Sequence, residues 1–400
     1  MTVARRLLPG RTHAITRRCA RRRLMLPPTP AVTNILRYCV GLALNRHPEV
    51  RLHAWATSTN HVHAIATDAP GFSQLPDVLG LLHCLSGRAL NCHFGEGENF
   101  WASGSYSNVE IALLHEGDAD AFAAPDEQAP ELVHDTLEEQ LLYLWTNVVK
   151  DGLCASPAGW TGLQFLPEDF GKTITVHKPP GAFFGGRRPD DWEPTDPAAR
   201  RRHRRARKRL REEERRRERL ADARRGRTPR RSRQLARERE RRQARAEAAE
   251  PTRAARSTLP ETVTFTIHPP PGYEDWPIEA VRAHFRALLD ARLAEIHAER
   301  EALGLSFMGL DRILAQDARQ SAGEVTPRFG LDPRVACRAK RPRIARLVAL
   351  VAWREAYRFA YLAWRDGDRE VVFPLGSYGL PRFHGARVHV PARSPPSRAA

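Results

Sequence analysis

Apolar and polar residues alternate along the first 170 residues with two different periods. Alternation typical of strands predicts β-strands over residues 12–18, 51–58, 61–68 and 106–114. Apolar residues at helical spacing predict α-helices over residues 29–48, 75–94 and 131–152. Pro30 suits the first turn of the first helix, and Gly152 suits the end of the third. The order of these elements predicts an α+β fold, with a small antiparallel sheet and helices on one face.

The pattern changes beyond residue 170, and the chain divides into four predicted regions. Residues 1–170 form the α+β domain, and residues 171–198 form a connecting segment. Residues 199–256 consist largely of Arg, Glu, Ala and Gln, so this stretch predicts either an exposed basic helix or a disordered tether. Residues 257–400 predict a mostly helical accessory region, because apolar stripes recur there at helical spacing.

Two similar segments flank the Arg-rich stretch. They read "TITVHKPPGAFF" from Thr173 and "VTFTIHPPPGY" from Val263, each a short β-run ending in His and a Pro-Pro-Gly turn. Two units are too few for a repeat architecture, so we interpret their similarity as coincidental.

The positive charge of the chain is concentrated in two blocks. The formal net charge is +17, and residues 201–250 alone hold 23 Lys and Arg against 9 Asp and Glu. Residues 1–50 hold 10 against 1, so the rest of the chain carries a net negative charge. Basic blocks of this kind attract polyanions and release counterions on binding them, which favours nucleic acid as the partner. The alternative is an Arg-rich solvated surface.

Membrane insertion and secretion are not indicated by the sequence. No run approaches the roughly 20 apolar residues that a spanning helix needs, and the N-terminus lacks the apolar core of a secretory signal. The six cysteines show no C-x-x-C spacing, so neither a zinc ribbon nor a disulfide framework is favoured. We therefore expect an intracellular protein with reduced thiols.

Candidate chemistry begins with two histidines in "STNHVHAIATD". The period of two along a strand places His61 and His63 on one face, with Val62 on the other. Two imidazoles side by side can ligate one divalent ion, and the alternative is a pair of exposed or hydrogen-bonded histidines. A zinc-histidine hydrolase is disfavoured, since no carboxylate lies between or just beyond them.

The third predicted helix adds a phenol and an oxygen ligand. Tyr143 and Asn147 are four residues apart, so they project from one face of the helix. A carboxamide oxygen suits Mg²⁺ or Mn²⁺, and a neighbouring tyrosine can attack a phosphodiester. The alternative for Tyr143 is packing on the sheet. Two other tyrosines, Tyr38 and Tyr106, have no oxygen ligand at the same spacing on a helix.

Four segments resemble, in the same order, the single-tyrosine HUH transposases of insertion sequences, and most closely the REP-associated tyrosine transposases. They read "HAITRR" from His13, "AWATSTNHVHAIATD" from Ala54, "LNCHFGEGENFWASGSYSNVEI" from Leu90 and "YLWTNVVKDGL" from Tyr143. The chain departs from the family where Asn147 is followed by Val148 instead of Pro, and where no methionine precedes the histidine motif. The resemblance covers about residues 11–165.

The resemblance implies a fold, a reaction and the residues that carry it. The fold would be a ferredoxin-like antiparallel sheet. His61, His63 and Asn147 would bind Mg²⁺ or Mn²⁺, and Tyr143 would be the nucleophile that forms a 5′-phosphotyrosine with DNA. The product would be a cleaved or joined DNA strand, as in DNA transposition. The alternative is a binding protein derived from such a transposase that has lost catalysis.

The resemblance also implies the partners. Single-stranded or hairpin DNA would bind near five arginines of the N-terminal region, which are Arg17, Arg18, Arg21, Arg22 and Arg23. Three aromatic residues could stack on unpaired bases or belong to the core, namely Phe100, Trp101 and Trp145. We expect a cytoplasmic, nucleoid-associated bacterial protein, and whether it forms a homodimer stays open.

Overall fold

A mixed sheet lies at the centre of the computed structural model, which describes residues 4–102, 106–112, 132–180, 183–184, 196–224, 259–323 and 334–389. Within these ranges its strands are β1 (Thr12–Arg18), β2 (Arg51–Thr57), β3 (His61–Thr67), β4 (Ser107–Ile111), β5 (Gln164–Phe165) and β8 (Val335–Ala336). The six strands lie in the order β5-β2-β3-β1-β4-β8. All neighbours are antiparallel except β4 and β8.

The described helices are α1 (Pro30–Arg46), α2 (Leu75–Phe94), α3 (Leu132–Lys150), α4 (Pro197–Arg224), α5 (Ile278–Ala302), α6 (Leu310–Ala315), α7 (Lys340–Arg365) and α8 (Gly379–His384). The α+β composition predicted from the sequence is confirmed, and β1 and α2 have the predicted bounds. The predicted strand over residues 106–114 is shorter in the structure, and its residues 113 and 114 lie outside the described part, as does residue 131 of the third predicted helix.

Local signals in the sequence explain where the helices begin and end. The Thr29 hydroxyl accepts a hydrogen bond from the Val32 amide, and Pro30 occupies the first turn of α1. At the end of α3, Gly152 has a φ of 72°. Its amide donates to the carbonyl of Val149, which ends the helix in the left-handed conformation that favours glycine.

The register of β1 and β3 separates two faces of the sheet. Thr16 lies opposite His63 and Arg18 lies opposite His61, so these four residues share the surface that we call the His61 face. His13 belongs to the other surface, the His13 face, because successive residues of a strand point in opposite directions.

Helix α3 is held in place by buried apolar side chains. Leu141, Trp145 and Val149 are all fully buried, and the Trp145 Nε1 donates to the carbonyl of Phe165 at 2.8 Å. The Trp145 ring also packs edge-on against Phe285 of α5 at 5.9 Å between centroids. Burying an aromatic side chain of this size contributes on the order of 2–3 kcal/mol. The position of α3 over the sheet is therefore set by the core.

The contacts divide the chain into two units. The first contains residues 1–84, 101–176 and 263–400, and the second contains residues 85–100 and 177–262. Residues 263–400, which make up nearly all of the predicted accessory region, thus belong to the same unit as the central sheet. The domain boundaries predicted from composition stay a prediction.

The two similar segments that flank the Arg-rich stretch pair with each other. They form β6 (Thr173–His177) and β7 (Thr262–Thr266), a two-stranded ribbon within the described chain. Hydroxyl pairs link Thr173 to Thr266 and Thr175 to Thr264 across it. Their similar sequences therefore have a structural counterpart, because both must supply a β-run with one face of threonines.

The second unit contains α4, which gives the Arg-rich stretch a helical start. The Asp196 carboxylate accepts a hydrogen bond from the Ala199 amide at 2.7 Å and caps the helix. Arg201, Arg202, Arg204 and Arg205 are exposed. Of the two alternatives for this stretch, the basic helix is present up to Arg224, and residues 225–258 lie outside the described part. No described helix is both long enough and apolar enough to cross a membrane.

Candidate metal and tyrosine site

Strand β3 brings two histidines together on the His61 face. The rings of His61 and His63 are 4.7 Å apart between centroids and nearly perpendicular. Val62, between them, is buried on the opposite face and pairs with Arg17 of β1. The two imidazoles are thus neighbours because the strand alternates.

Helix α3 places a phenol beside these imidazoles. The Tyr143 ring is 5.6 Å from that of His63 between centroids and is 47% exposed, although its neighbours on the helix are buried. Asn147 is one turn further along and only 5% exposed. The four residues singled out in the sequence are therefore brought together in the structure, and their roles remain a proposal.

Hydrogen bonds orient the ring of each histidine. The His61 Nδ1 lies 2.6 Å from the Oδ1 of Asn60, and the His63 Nδ1 lies 2.9 Å from the Thr16 hydroxyl. A carbonyl oxygen can only accept, so the His61 Nδ1 carries the proton and its Nε2 keeps a lone pair. The Thr16 hydroxyl can hold His63 in the same tautomer. Both rings can then present Nε2 as a ligand atom.

Two acceptor atoms of the site are buried without a partner. The Nε2 of His63 and the Oδ1 of Asn147 have no hydrogen-bond partner among the described residues. Buried polar atoms are otherwise nearly always paired. No group of three His, Cys, Asp or Glu side chains suited to a metal occurs in the described ranges. A cation here would depend on the carboxamide oxygen of Asn147, and two imidazoles with one carboxamide fit a divalent metal.

Burial keeps both histidines neutral, which is the form that binds metals. Burial, reinforced by the positive charge of Arg18, lowers the pKa of His61 to about 4, although the carboxamide of Asn147 opposes the shift. Burial and the neighbouring His61 lower the pKa of His63 to about 3. Burial and Asp151 raise the pKa of Tyr143 above its usual value, against the influence of Arg18. The protein alone therefore keeps this phenol protonated at neutral pH.

The predicted arginine cluster is split by the strand. Arg18 lies on the His61 face opposite His61, and its charge acts on both histidines and on Tyr143. Arg22 also acts on His61. Arg17 was expected at this site and is instead on the His13 face, where burial and the charge of Arg5 lower its pKa.

The two remaining arginines of the cluster lie in the turn after β1. Arg21 is exposed and adopts a φ of 55°, and its carbonyl accepts a hydrogen bond from the Ser321 hydroxyl at 3.0 Å. Arg23 is half-buried and forms a backbone bridge with Ser321. The role of both side chains in binding DNA stays a prediction.

The aromatic residues considered for base stacking belong to the core. Phe100, Trp101 and Trp145 are each buried, which excludes them as stacking platforms in this conformation. The competing tyrosines are also accounted for. Tyr38 is fully buried in α1, and Tyr106 lies under the Arg5 guanidinium at 4.3 Å.

An open cleft adjoins the histidines and Tyr143. It has a volume of about 210 Å³, and its lining includes Thr16, Arg18, His63, Gln140 and Tyr143. A second hollow of about 390 Å³ between α3 and α5 is lined by Tyr143 and Lys150 among others. The phenol therefore lies on the boundary between two accessible spaces.

Several residues of the site were not singled out in the sequence. Asn60 and Thr16 orient the imidazoles, and Lys150 places its Nζ 5.9 Å from the centre of the Tyr143 ring. Asn60 is adjacent to His61, so a search for neighbours of the motif would have found it. Thr16 requires the register of β1 against β3, which the sequence alone does not give.

The chain has low similarity to the known proteins with which it was compared. No family model matches the chain, and no curated protein matches it significantly. Among the solved structures, a REP-associated tyrosine transposase bound to a REP hairpin is 18% identical, with a TM-score of 0.31 over 42% of this chain and 85% of that one. A transposase-like protein from Deinococcus radiodurans R1 is 17% identical, with a TM-score of 0.23 over 30% of this chain and 95% of that one.

Proposed function

We propose that this chain cuts and joins DNA strands through a covalent link to Tyr143, as in DNA transposition, on single-stranded or hairpin-flanked DNA. The observation that carries the proposal is the placement of an exposed phenol 5.6 Å from His63, beside two buried acceptor atoms that lack partners among the described residues. The four ordered motifs of the sequence support the same reading and favour a ferredoxin-like HUH domain. If Tyr143 only packed on the sheet, there would be no reason for His63 and two unpaired acceptor atoms to lie beside it.

The ligand set proposed for Mg²⁺ or Mn²⁺ is the Nε2 of His61, the Nε2 of His63 and the Oδ1 of Asn147. The bound ion would polarise the scissile phosphate and offset the charge that develops on its oxygens. Asn60 and Thr16 would hold the two rings in the ligating tautomer by accepting hydrogen bonds from the Nδ1 atoms of His61 and His63.

In the proposed reaction the Tyr143 oxygen attacks the phosphorus atom. A tyrosine O–P bond forms while the bond from phosphorus to the 3′ oxygen of the preceding nucleotide breaks. The phenol loses its proton and the departing 3′ oxygen gains one, so the products are a 5′-phosphotyrosine and a free 3′-hydroxyl. In the reverse direction a 3′-hydroxyl displaces the phenol, which leaves readily because its pKa is lower than that of an alcohol. Arg18, beside the phenol, would attract the phosphate.

The test is a covalent adduct with DNA labelled at its 3′ end, incubated with the full chain and Mn²⁺. Tyr143→Phe removes one oxygen and keeps the ring, so DNA binding should persist while the adduct and strand cleavage disappear. Tyr106→Phe is the matched control and should retain the adduct. His61→Ala should lose most activity and recover part of it at high Mn²⁺. An adduct formed by Tyr143→Phe would contradict the assignment.

A non-catalytic DNA-binding protein is the second candidate, and the exposed basic face of α4 favours it. Binding through such a face requires neither Tyr143 nor a metal, and it should weaken steeply as salt rises. Salt-sensitive DNA binding by the wild-type chain, with no adduct at any Mn²⁺ concentration, would assign this function and reject the enzyme.

A further inference from the structure

A second pocket lies on the His13 face of the sheet. Its lining includes His13 of β1, Asn108 and Glu110 of β4, and the side chains of Arg5 and Arg6. The register explains why these residues meet: His13 lies opposite Glu110, and Ile15 lies opposite Asn108. Arg334 and Arg354, from the C-terminal part of the same unit, complete the wall. We call this space the His13 pocket.

Its polar side chains are buried and incompletely paired. His13 is 1% exposed, and neither ring nitrogen has a hydrogen-bond partner among the described residues. The same holds for the Oδ1 of Asn108, which is 7% exposed. Burial lowers the pKa of His13, so its neutral ring offers one N–H donor and one acceptor. If His13 were only a core residue, at least one of its ring nitrogens would be expected to form a hydrogen bond with the protein.

The arginines add further donors that point to a ligand. Arg5 is fixed by stacking on Tyr106 and by donating to its carbonyl, yet its Nη1 is buried without a partner in the described chain. The Nε of Arg6 is in the same situation. Two cationic donors, a neutral imidazole and a carboxamide therefore face one small space.

The charge of the pocket is strongly positive. Among the described lining residues Glu110 is the one carboxylate, and it already accepts Arg6 at 3.3 Å and Arg346 at 2.8 Å. The lining arginines are Arg5, Arg6, Arg334 and Arg354. Water would satisfy the donor atoms of Arg5 and Arg6 that lack partners among the described residues, but it would not offset the charge of the guanidinium groups that share Glu110.

We propose that the His13 pocket binds a phosphate-class oxyanion, with Arg5 and Arg6 donating to its oxygens and with His13 and Asn108 exchanging hydrogen bonds with it. The space that a water-sized sphere can enter is about 30 Å³, which suits a small tetrahedral ion or two waters. A dihydrogen phosphate carries P–O acceptors and two P–OH donors, so it can also serve the acceptor atoms of both His13 and Asn108, and a hydrogen phosphate can serve one of them. Chloride accepts only and cannot do so.

This pocket is independent of the metal and tyrosine site. The two lie on opposite faces of β1, because His13 and Thr16 are three residues apart along the strand. The two proposals can therefore be tested separately: a chain that does not bind phosphate in the His13 pocket could still form the Tyr143 adduct, and a chain that forms no adduct could still bind phosphate. Tyr143→Phe should leave phosphate binding in the His13 pocket unchanged.

The experiment titrates the full chain with inorganic phosphate in EDTA at constant ionic strength, with chloride as the reference salt. The readouts are the shift in Tm and the broadening of the ³¹P resonance. We expect a Tm rise specific to phosphate. Asn108→Asp places a carboxylate against the anion, and we expect it to weaken phosphate binding by at least about tenfold.

Two further variants keep the test valid if Asn108→Asp fails to fold. Arg354→Gln changes a half-buried residue of α7 and should also weaken phosphate binding, whereas Arg312→Gln, on the exposed side of α6, is the matched control and should not. An equal response of wild type, Arg354→Gln and Arg312→Gln, or no phosphate effect beyond chloride, would overturn the proposal and assign ordered water to the pocket.

A competition arm identifies the source of the phosphate. A 5′-phosphorylated dinucleotide that displaces inorganic phosphate from wild type, while its dephosphorylated form does not, would assign a terminal nucleic-acid phosphate. Retention of inorganic phosphate against both would assign the free ion. With either result, Arg354→Gln should bind the same phosphate compound more weakly than wild type. If the dinucleotide displaced inorganic phosphate from Arg354→Gln as well as from wild type, the assignment to the His13 pocket would be overturned.

Discussion

The two faces of the central sheet carry histidines in different hydrogen-bonding settings. On the His61 face, His61 and His63 meet a phenol and a carboxamide, and the unpartnered atoms are acceptors. On the His13 face, His13 meets arginines, and cationic donors are left over. The residue type is the same, and the two strands that carry these histidines, β1 and β3, are neighbours in one sheet.

The difference shows that the neighbours of an imidazole decide which ion it can serve. Converging lone pairs that no donor satisfies fit a cation, whereas guanidinium groups that exceed the carboxylates fit an anion. Burial lowers the pKa on both faces, so the protonation state alone does not distinguish His13 from His63. Substitutions that change one histidine or one of its neighbours at a time test this difference.

The largest expected effect comes from removing a histidine from each face. His63→Gln should abolish tight Mn²⁺ binding, with a loss greater than the roughly 100-fold that removing a ligand's hydrogen-bond partner costs. His13→Gln should leave Mn²⁺ binding intact. The measurement is the free Mn²⁺ signal in electron paramagnetic resonance during a titration of the DNA-free chain. Equal Mn²⁺ affinity in wild type and His63→Gln would remove His63 from the ligand set.

A smaller effect should result from removing the group that orients His63. Thr16→Val keeps the shape of the side chain but loses the hydroxyl 2.9 Å from the His63 Nδ1. We expect Mn²⁺ affinity to fall about 10- to 100-fold, because the ring can then adopt the wrong tautomer. Thr12→Val is the matched control, since it removes a hydroxyl of the same strand that pairs with Thr67 instead. If both variants bound Mn²⁺ like wild type, the orienting role of Thr16 would be wrong.

The smallest effect concerns His53, a buried histidine that lies in neither pocket. Burial, with contributions from Arg51 and His268, lowers its pKa to about 3, although the carbonyls of His268 and Pro269 oppose the shift. As pH falls, His53 takes up a proton near pH 6.5 in the unfolded chain but only near pH 3 in the folded chain. The free energy of unfolding should therefore fall as pH decreases between these values, by up to about 1.4 kcal/mol per pH unit for such a group.

Urea denaturation at pH 7 and pH 5 without divalent metal measures this dependence. His53→Gln should show a shallower loss of stability between the two pH values than wild type. His47→Gln, which changes a histidine at the end of α1, is the control and should keep the wild-type slope. The same slope in wild type and His53→Gln would show that other groups carry the pH dependence.

Most elements of the central sheet could be predicted from the sequence because their signals are local. The alternation in "THAITRR" and "HVHAIAT" and the cap formed by Thr29 depend only on neighbours in the chain. The same period of two could also have separated Arg17 from Arg18, since adjacent strand residues face opposite ways. Arg17 thus lies on the His13 face, and its role in binding DNA stays a prediction.

Other features could not be predicted because they depend on contacts between distant residues. Trp145 is buried, with its Nε1 donating to the carbonyl of Phe165 and its ring packing against Phe285. Its local sequence indicates neither contact. The His13 pocket combines β1 and β4 with Arg334 and Arg354 from more than 200 residues further along the chain. The pairing of β6 with β7 spans the whole Arg-rich stretch, and no local signal in the sequence indicates it.

The β6–β7 ribbon makes the chain leave and return at one point. The Lys178 amide donates to the carbonyl of Glu261 at 2.7 Å, so the ends of the intervening segment are already closed on each other. The closure entropy of a loop grows only slowly with its length, so the ribbon itself tolerates a longer or shorter segment at a cost of about 0.6 kcal/mol for each doubling. The segment is also anchored within the second unit, where the Asp196 amide donates to the carbonyl of His93 at 3.3 Å, so a module exchanged at this junction would have to keep that contact with α2.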